Sequence, residues 1–489
     1  MIETGSLGSI DSEERPRRDA TPLGPDSMLQ GYSNQLRVLL ALSRAGILEA
    51  AHPQIGAALI SSSTFVAHPW RRLYNTLGAL RRATSDDATV RQREADRISR
   101  LHGRISGTDD EGRPFDAMDA EVRAWVIATL FESTLFMCRL GGDPLGADGE
   151  EQLYQDFRSL FVTLGDDGTH LPDTLEAFWP YYNDMIDKGL EDTDAVKIIL
   201  YRLFDEIPPP PFLRGQNALW AALRAAAAPL ANVVMIASLP ESYRRQAYLR
   251  PVPGSRVLMH TVYLSAGVAT RVLSPILSQA NALLRALAPV NDTDPGARML
   301  DAARAGAGLF GSVLRRVTPS ALRSDPDVAA GDAHRSAEQF FSEVLDQTGD
   351  GRVGWPDIAA MAREIASRLD LDAAPENKLY EAYASWWKEL TSLDADGDGR
   401  VTREEYATAA PTMAGPGLIA VADVLFDAVD VDDDQVISQD EYRALFHRAF
   451  NMEQTGGDGQ LDRSDFIREF LDFMAGRHSA AYQGLLVDA

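Results

Sequence analysis

The sequence predicts an all-α protein in two chemically different parts: a larger helical domain, then a smaller globular domain of helix–loop–helix units. Three observations predict it. Apolar residues recur at helical spacing from about Tyr32 to Val290, with no convincing alternating strand run among them. Negative charge is concentrated in the last third: residues 335–489 hold 31 acidic and 13 basic side chains, a net of −18. The first 334 residues hold 41 and 34, a net of −7. Finally, the acidic part repeats a short carboxylate pattern. A charge asymmetry of this kind marks a compositional boundary. The 489-residue length agrees, being about three times the ~150 residues expected per domain.

Composition excludes several functions. The whole chain carries a formal net charge of −25, from 72 acidic against 47 basic residues, and such a surface repels phosphate backbones. Nucleic acid is therefore not expected as a partner. The single cysteine, Cys138, leaves no intrachain disulfide framework and no Cys-rich zinc site. The opening MIETGSLGSIDSEERPRRD has no apolar stretch after a basic end, so a cytoplasmic protein is expected.

Residues 1–30, rich in Gly, Ser, Pro and charge, read as a disordered lead-in, and 31–290 as the helical domain. In GEEQLYQDFRSLFVTLG, Leu153, Phe157, Leu160, Phe161 and Leu164 share one helix face, and Gly165 stops the run. In PDTLEAFWPYYNDMIDKGL, Asp173 stands three residues before Glu176, a capping-box spacing, and the run ends at Gly189. AEVRAWVIATLFESTLFMCRLGG is apolar around most of its circumference and belongs in the interior. Pro208 to Pro211 cannot continue a helix and predict an extended turn. The apolar stretch that follows is interrupted by Arg224 and Pro229. Its uncharged run from Ala225 to Leu239 is shorter than the ~20 residues a membrane span needs, so a buried or membrane-surface helix is expected. Residues 291–334 read as a linker with one weak helix.

The acidic part, residues 335–489, contains four copies of a twelve-position loop, starting at residues 346, 394, 430 and 454. The clearest is DADGDGRVTREE. Asp394, Asp396 and Asp398 occupy positions 1, 3 and 5, Arg400 offers its backbone carbonyl at position 7, and Glu405 closes position 12. A hard cation needs six to eight oxygens, and this spacing supplies them; Gly399 permits the sharp turn, and Val401 is placed to pair with a partner loop. DVDDDQVISQDE offers Asp430, Asp432, Asp434, the Val436 carbonyl and Glu441, with Gln435 in place of the turn glycine at a cost of ~1 kcal/mol. DQTGDGRVGWPD offers Asp346, Thr348, Asp350, the Arg352 carbonyl and Asp357, whose shorter side chain weakens calcium and favours a smaller ion. The fourth copy has Gln454 and Gly456 at positions 1 and 3 and reads as a structural partner rather than an ion site. Two or three calcium sites are expected. Apolar flanks (Phe340, Phe341, Trp386, Trp387, Phe426, Tyr442, Phe450, Phe466, Phe470) supply the core between helices. Four such hands, with the closing FLDFMAGRHSAAYQGLL, resemble calerythrin and the sarcoplasmic EF-hand calcium-binding proteins. That resemblance implies a compact four-EF-hand globule of a group usually regarded as calcium buffers.

The first part has five histidines, His52, His68, His102, His170 and His260, and none lies in an HExxH motif; GxSxG, P-loop and GxGxxG signatures are also missing. His102, followed by Gly103 and Gly107, suits either a flat-cofactor ligand or a capping or core histidine. The order FVAHPWRRLYNT, RISRLHGRISGTDDEGRPFDAMDAEVRAWVIATLFES, LPDTLEAFWPYYNDMI resembles the all-helical haem oxygenase family that includes the fungal MpaB oxygenase and bacterial latex clearing protein. By that resemblance His102 is the proximal ligand of haem b, and Arg72 and Thr76 are the distal residues at which oxygen and substrate bind. The rubber-cleaving members have a lysine where this chain has Asn75 and a histidine where it has Ile127; their upstream catalytic glutamate has Glu49 as its nearest counterpart. The function expected is oxygen insertion into, or oxidative cleavage of, an apolar isoprenoid- or lipid-like substrate, tied to calcium binding, with peripheral membrane association as a further expectation. The alternative is a non-catalytic calcium buffer or sensor fused to a helical domain that has lost haem chemistry.

Overall fold

The computed structural model describes residues 23, 27–62, 68–109, 111–204, 207–210, 216–273, 340–409, 415–432, 434–450 and 461–474, and these are helical almost throughout. Helix α1 (Met28–Ser33) is capped from a distant segment: the Asp156 carboxylate accepts from Ser27 Oγ at 3.0 Å, Met28 N at 2.9 Å and Leu29 N at 3.4 Å. The expected lead-in over 1–30 therefore gives way to helix at Met28, because an acid 128 residues downstream satisfies the free amides. Then come α2 (Val38–Ala50), α3 (Pro53–Ser62), α4 (Pro69–Ala83) and α5 (Ala88–His102). Pro69 opens α4 where its missing N–H is harmless, and Asp87 caps α5 by accepting from Thr89 N at 2.8 Å.

Strands β1 (Ser106–Thr108) and β2 (Pro114–Asp116) form an antiparallel hairpin with Gly107 opposite Phe115. The sequence reading found no strand here because three residues are too few for alternation to register. Helix α6 (Ala120–Leu140) is buried on most sides, as its apolar circumference required. It packs against α7 (Ala147–Thr163), which Gly165 ends at φ +89°. In α8 (Leu175–Asp184) the cap is Thr174, whose hydroxyl accepts from Ala177 N at 3.3 Å; Asp173, the expected cap, instead pairs with Arg158 at 2.6 Å. A wide π turn, Met185–Gly189, extends α8 to the predicted end. Trp125, Phe131, Tyr154, Phe157, Phe178 and Tyr182 meet at the centre, with Phe131 and Phe178 edge to face at 5.0 Å. Beside them lies a buried ion pair, Arg44 with Glu132. Arg44 also donates to Ser238 O at 2.9 Å, and Tyr182 Oη donates to Glu132 at 3.1 Å.

After α9 (Asp194–Ile198), Pro208 to Pro210 run without regular structure, as expected of the prolines; Pro211 lies outside the described residues. Helix α10 (Asn217–Ser238) then runs unbroken through Arg224 and Pro229, which corrects the expected interruption. It is long and apolar enough to cross a membrane by length and composition, yet only 11% of its most apolar window is buried, so it is not a core helix. Helix α11 (Glu241–Gln246) leads to α12 (Ser255–Leu273), which packs beside α10 and crosses the end of α6. At that crossing Gly267 lies on the Gly141 carbonyl so closely that any Cβ would collide with it.

The expected linker, 291–334, lies outside the described residues. The second part has its own core. A helical turn, Phe341–Leu345, leads to β3 (Arg352–Val353), α13 (Trp355–Arg368) and α14 (Ala373–Leu390). Next come β4 (Val401–Thr402), α15 (Arg403–Ala409), α16 (Pro416–Val429), β5 (Val436–Ile437), α17 (Gln439–Phe450), β6 (Leu461–Asp462) and α18 (Arg463–Met474). The loops pair through these strands, Val353 opposite Val401 and Ile437 opposite Leu461. Phe340, Phe341, Trp386, Phe426, Tyr442, Phe466 and Phe470 are buried between the helices, with Trp387 packed at their edge; the Phe450 side chain lies outside the described residues.

Candidate functional site

Helical spacing puts Arg72 and Thr76 on one face of α4, and α5, packed along it, ends on His102. Arg72 has open surface, yet the protein around it lowers its guanidinium below the ordinary value, first through burial, then through Arg363, against Glu49. Arg72 thus stands in a solvent-accessible recess where α2, α4 and α5 adjoin. Glu49 on α2 shares the recess: burial pushes its carboxyl up to about 7, against the Thr129 hydrogen bond (3.2 Å) and the charge of Arg72. His102 is held down to about 4 by burial and by Arg123, Arg72 and Arg97, so its imidazole is neutral at pH 7. No hydrogen bond to that ring forms among the described residues. Arg72 thus acts electrostatically on both Glu49 and His102, joining three segments remote in sequence.

Asn75 and Ile127 have other roles. Asn75 Nδ2 donates to Glu364 of α13 at 3.1 Å, and Ile127 is a buried core residue of α6. Sequence reasoning missed Arg97, Arg123, Thr129 and Arg363. Each is an ordinary helical residue by pattern, and only the packing of five helices brings it near the recess; no local signal could have found it.

The acidic loops share one geometry. In the second, Asp394 accepts from Gly397 N (2.7 Å) and Gly399 N (2.7 Å), while Glu405 accepts from Ala395 N and Thr402 N, both at 2.8 Å. In the third, Asp430 accepts from Gln435 N (3.0 Å), and Glu441 accepts from Val431 N (2.8 Å) and Ser438 N (2.9 Å). In each, three carboxylates (Asp394, Asp396, Asp398; Asp430, Asp432, Asp434) bring oxygens within 4.8 Å of one another. The turn residues Gly399 and Gln435 have φ of +80° and +65°. In the first loop Asp346 accepts from Gly349 N (2.7 Å) and Gly351 N (2.8 Å). Asp357 is one methylene shorter than Glu and accepts from Thr348 N rather than from the residue before it, at 2.7 Å. Burial pushes Asp357 up to about 6, whereas in the open second loop backbone donors, Gly399 first, hold Asp394 below its ordinary value. Thr348 contributes no carboxylate, and Asp350 pairs with Arg400 at 2.8 Å. Residues 454–460 of the fourth copy lie outside the described residues.

Arg72, Thr76, His102 and Glu49 all lie in the stretch 31–272, which matches the family described as "ER-bound oxygenase mpaB/B'/Rubber oxygenase, catalytic domain". No curated protein matches the chain. Among solved structures, the coelenterazine-binding protein from Renilla muelleri, in its calcium-loaded apo form, is 21% identical over 32% of this chain and 100% of that chain, with a TM-score of 0.23.

Proposed function

We propose that residues 31–272 are a haem-dependent oxygenase domain acting on an apolar, isoprenoid- or lipid-like substrate, and that the second part is an EF-hand calcium-binding domain. The observation that carries the first reading is the neutral His102 imidazole, without a hydrogen bond among the described residues, in a recess shared with Arg72 and Glu49. Its donor chemistry fits haem b, because a neutral imidazole is an iron ligand. Haem, when bound, supplies the iron at which dioxygen chemistry takes place. The chain's own residues do the rest. Arg72 keeps its charge and, with the exposed Thr76 hydroxyl, can donate hydrogen bonds to developing negative charge. Glu49, near 7, can hold or release a proton at neutral pH.

The calcium reading is supported by carboxylates gathered in the second and third loops and by the matching position-12 glutamates. The first loop is a third, weaker site. Peripheral membrane association belongs to the same proposal, supported by Leu223 and Leu230 on α10 and Val257, Leu264 and Val268 on α12, all exposed. Co-sedimentation with vesicles tests that part.

Haem added to purified protein should give a Soret band that His102→Ala removes; protein that takes up no haem overturns the oxygenase reading. Calorimetry should find two or three divalent sites, one of them lost in Glu405→Gln. No heat on calcium addition overturns the loop assignment.

A further inference from the structure

The acidic part is built onto the two helices that carry the recess. Gln347, at position 2 of the first loop and 2% exposed, accepts a 2.8 Å hydrogen bond from Arg71, 5% exposed and adjacent to Arg72. Asn75, adjacent to Thr76, donates to Glu364 at 3.1 Å. Arg97 donates to Ser367 at 3.2 Å, and Arg100, two residues before His102, donates to Glu376 at 2.6 Å. Arg104, two residues after His102, also pairs with Glu376, donates to Asn377 at 2.6 Å and lies over the Tyr380 ring at 4.0 Å. Arg72, Thr76 and His102 are thus each one or two positions from a residue bonded to the second part. The contacts on that side come from the first loop, its exit helix α13 and the start of α14, the helix that enters the second loop.

We propose that ion occupancy of the first loop is coupled to the recess, with α13 and Gln347 as the coupling element; the inference rests on the haem and calcium readings above. Asp357, the third residue of α13, now accepts from Thr348 N and Gly354 N. Ligating an ion beside Asp346 draws its carboxylate away from these two amides, and so changes what holds the first turn of α13 and the loop that carries Gln347. Those are the elements anchored on Arg71 and, about two to three turns further along α13, on Asn75 and Arg97. The ion therefore binds two arrangements of α4 and α5 with different affinity, which is what coupling requires.

The test uses the full chain, haem b and calcium. Saturating calcium should change the haem dissociation constant, read by Soret titration, by about five-fold or more, and haem should change calcium affinity at one site by the same factor. Asp346→Asn and Gln347→Ala should each abolish the change, the second without removing an ion ligand. Glu441→Gln, in the other loop pair, should leave it intact. Hydrogen exchange of residues 69–83 and 88–102 with and without calcium reads the same coupling with no haem present. Haem affinity independent of calcium, or a dependence that survives Asp346→Asn, overturns the proposal. Protein that binds no haem refutes the oxygenase reading alone, and unchanged exchange in α4 and α5 then refutes the coupling.

Discussion

Arg400 of the second acidic loop reaches across the loop pair to Asp350 of the first, Nη1 to Oδ2, at 2.8 Å. Arg352 of the first loop returns the contact to Asp398 of the second. Each arginine stands at position 7 of its own loop and meets position 5 of the other, so the pair has internal two-fold symmetry. The cations offset carboxylate repulsion when no ion is bound and compete with an ion for the same ligands. Both arginines are about half exposed, so solvent screens the pairs. Arg352→Ala or Arg400→Ala should tighten calcium at the opposite loop by about two- to five-fold. Calorimetry at low ionic strength checks this, and the difference should shrink in high salt.

Gln435 holds φ at +65° where Gly351 and Gly399 hold the equivalent positions at +83° and +80°. A side chain there strains the backbone, and Gln435→Gly should stabilise the ion-free protein by about 0.5–1 kcal/mol. Urea unfolding measures it. Gln435→Ala keeps the strain and should show no gain.

Glu49 titrates near 7 in the folded chain and at its ordinary 4.5 when unfolded. Between those values the folded state keeps a proton that the unfolded state has lost, so stability falls as pH rises through the window. Glu49→Gln should therefore be more stable than the parent at pH 8, by on the order of 2 kcal/mol, and equal to it at pH 4. His102 slopes the other way: folded near 4 and unfolded near 6.5, it removes stability as pH falls through that range. The two partly cancel in the parent, so the single variant is the measurement that separates them, made on haem-free protein by denaturant unfolding.

Arg44 and Glu132 form a buried pair whose remaining capacity is taken up by Ser133, Ser238 and Tyr182. Arg44→Ala leaves the carboxylate uncompensated and should cost about 3–5 kcal/mol, seen as a large fall in Tm. Arg44→Met with Glu132→Leu should recover most of that loss, because no charge is then left buried.

Helices α6 and α7 were legible because their apolar residues report a buried face, and Gly165 reports the end of α7. The acidic loops were legible because ligand geometry imposes a fixed spacing on neighbouring residues. What stayed hidden depended on partners far along the chain. Asp156 capping Met28, Asn75 turned toward Glu364, and Arg71 bonded to Gln347 join residues 128, 289 and 276 positions apart. Periodicity describes one element's faces and carries nothing about which other element covers them. The cap at Thr174 was misread for a local reason: Asp173 and Thr174 both cap well, and Arg158 occupies the aspartate. Pro229 reads as a breaker, yet α10 runs through it because most of its surface is free of neighbours that would resist a local adjustment.

Gly267 is the place where α12 rests directly on the Gly141 carbonyl. A helix lying on a helix end by backbone contact can do so only where a side chain is missing, and in α12 the neighbouring positions, Ala266 and Val268, both carry one. The contact therefore works as a detent against sliding. It sets how far α12 extends past α6, and with it the height at which Leu264, Val268 and Val272 stand on the outside of the molecule.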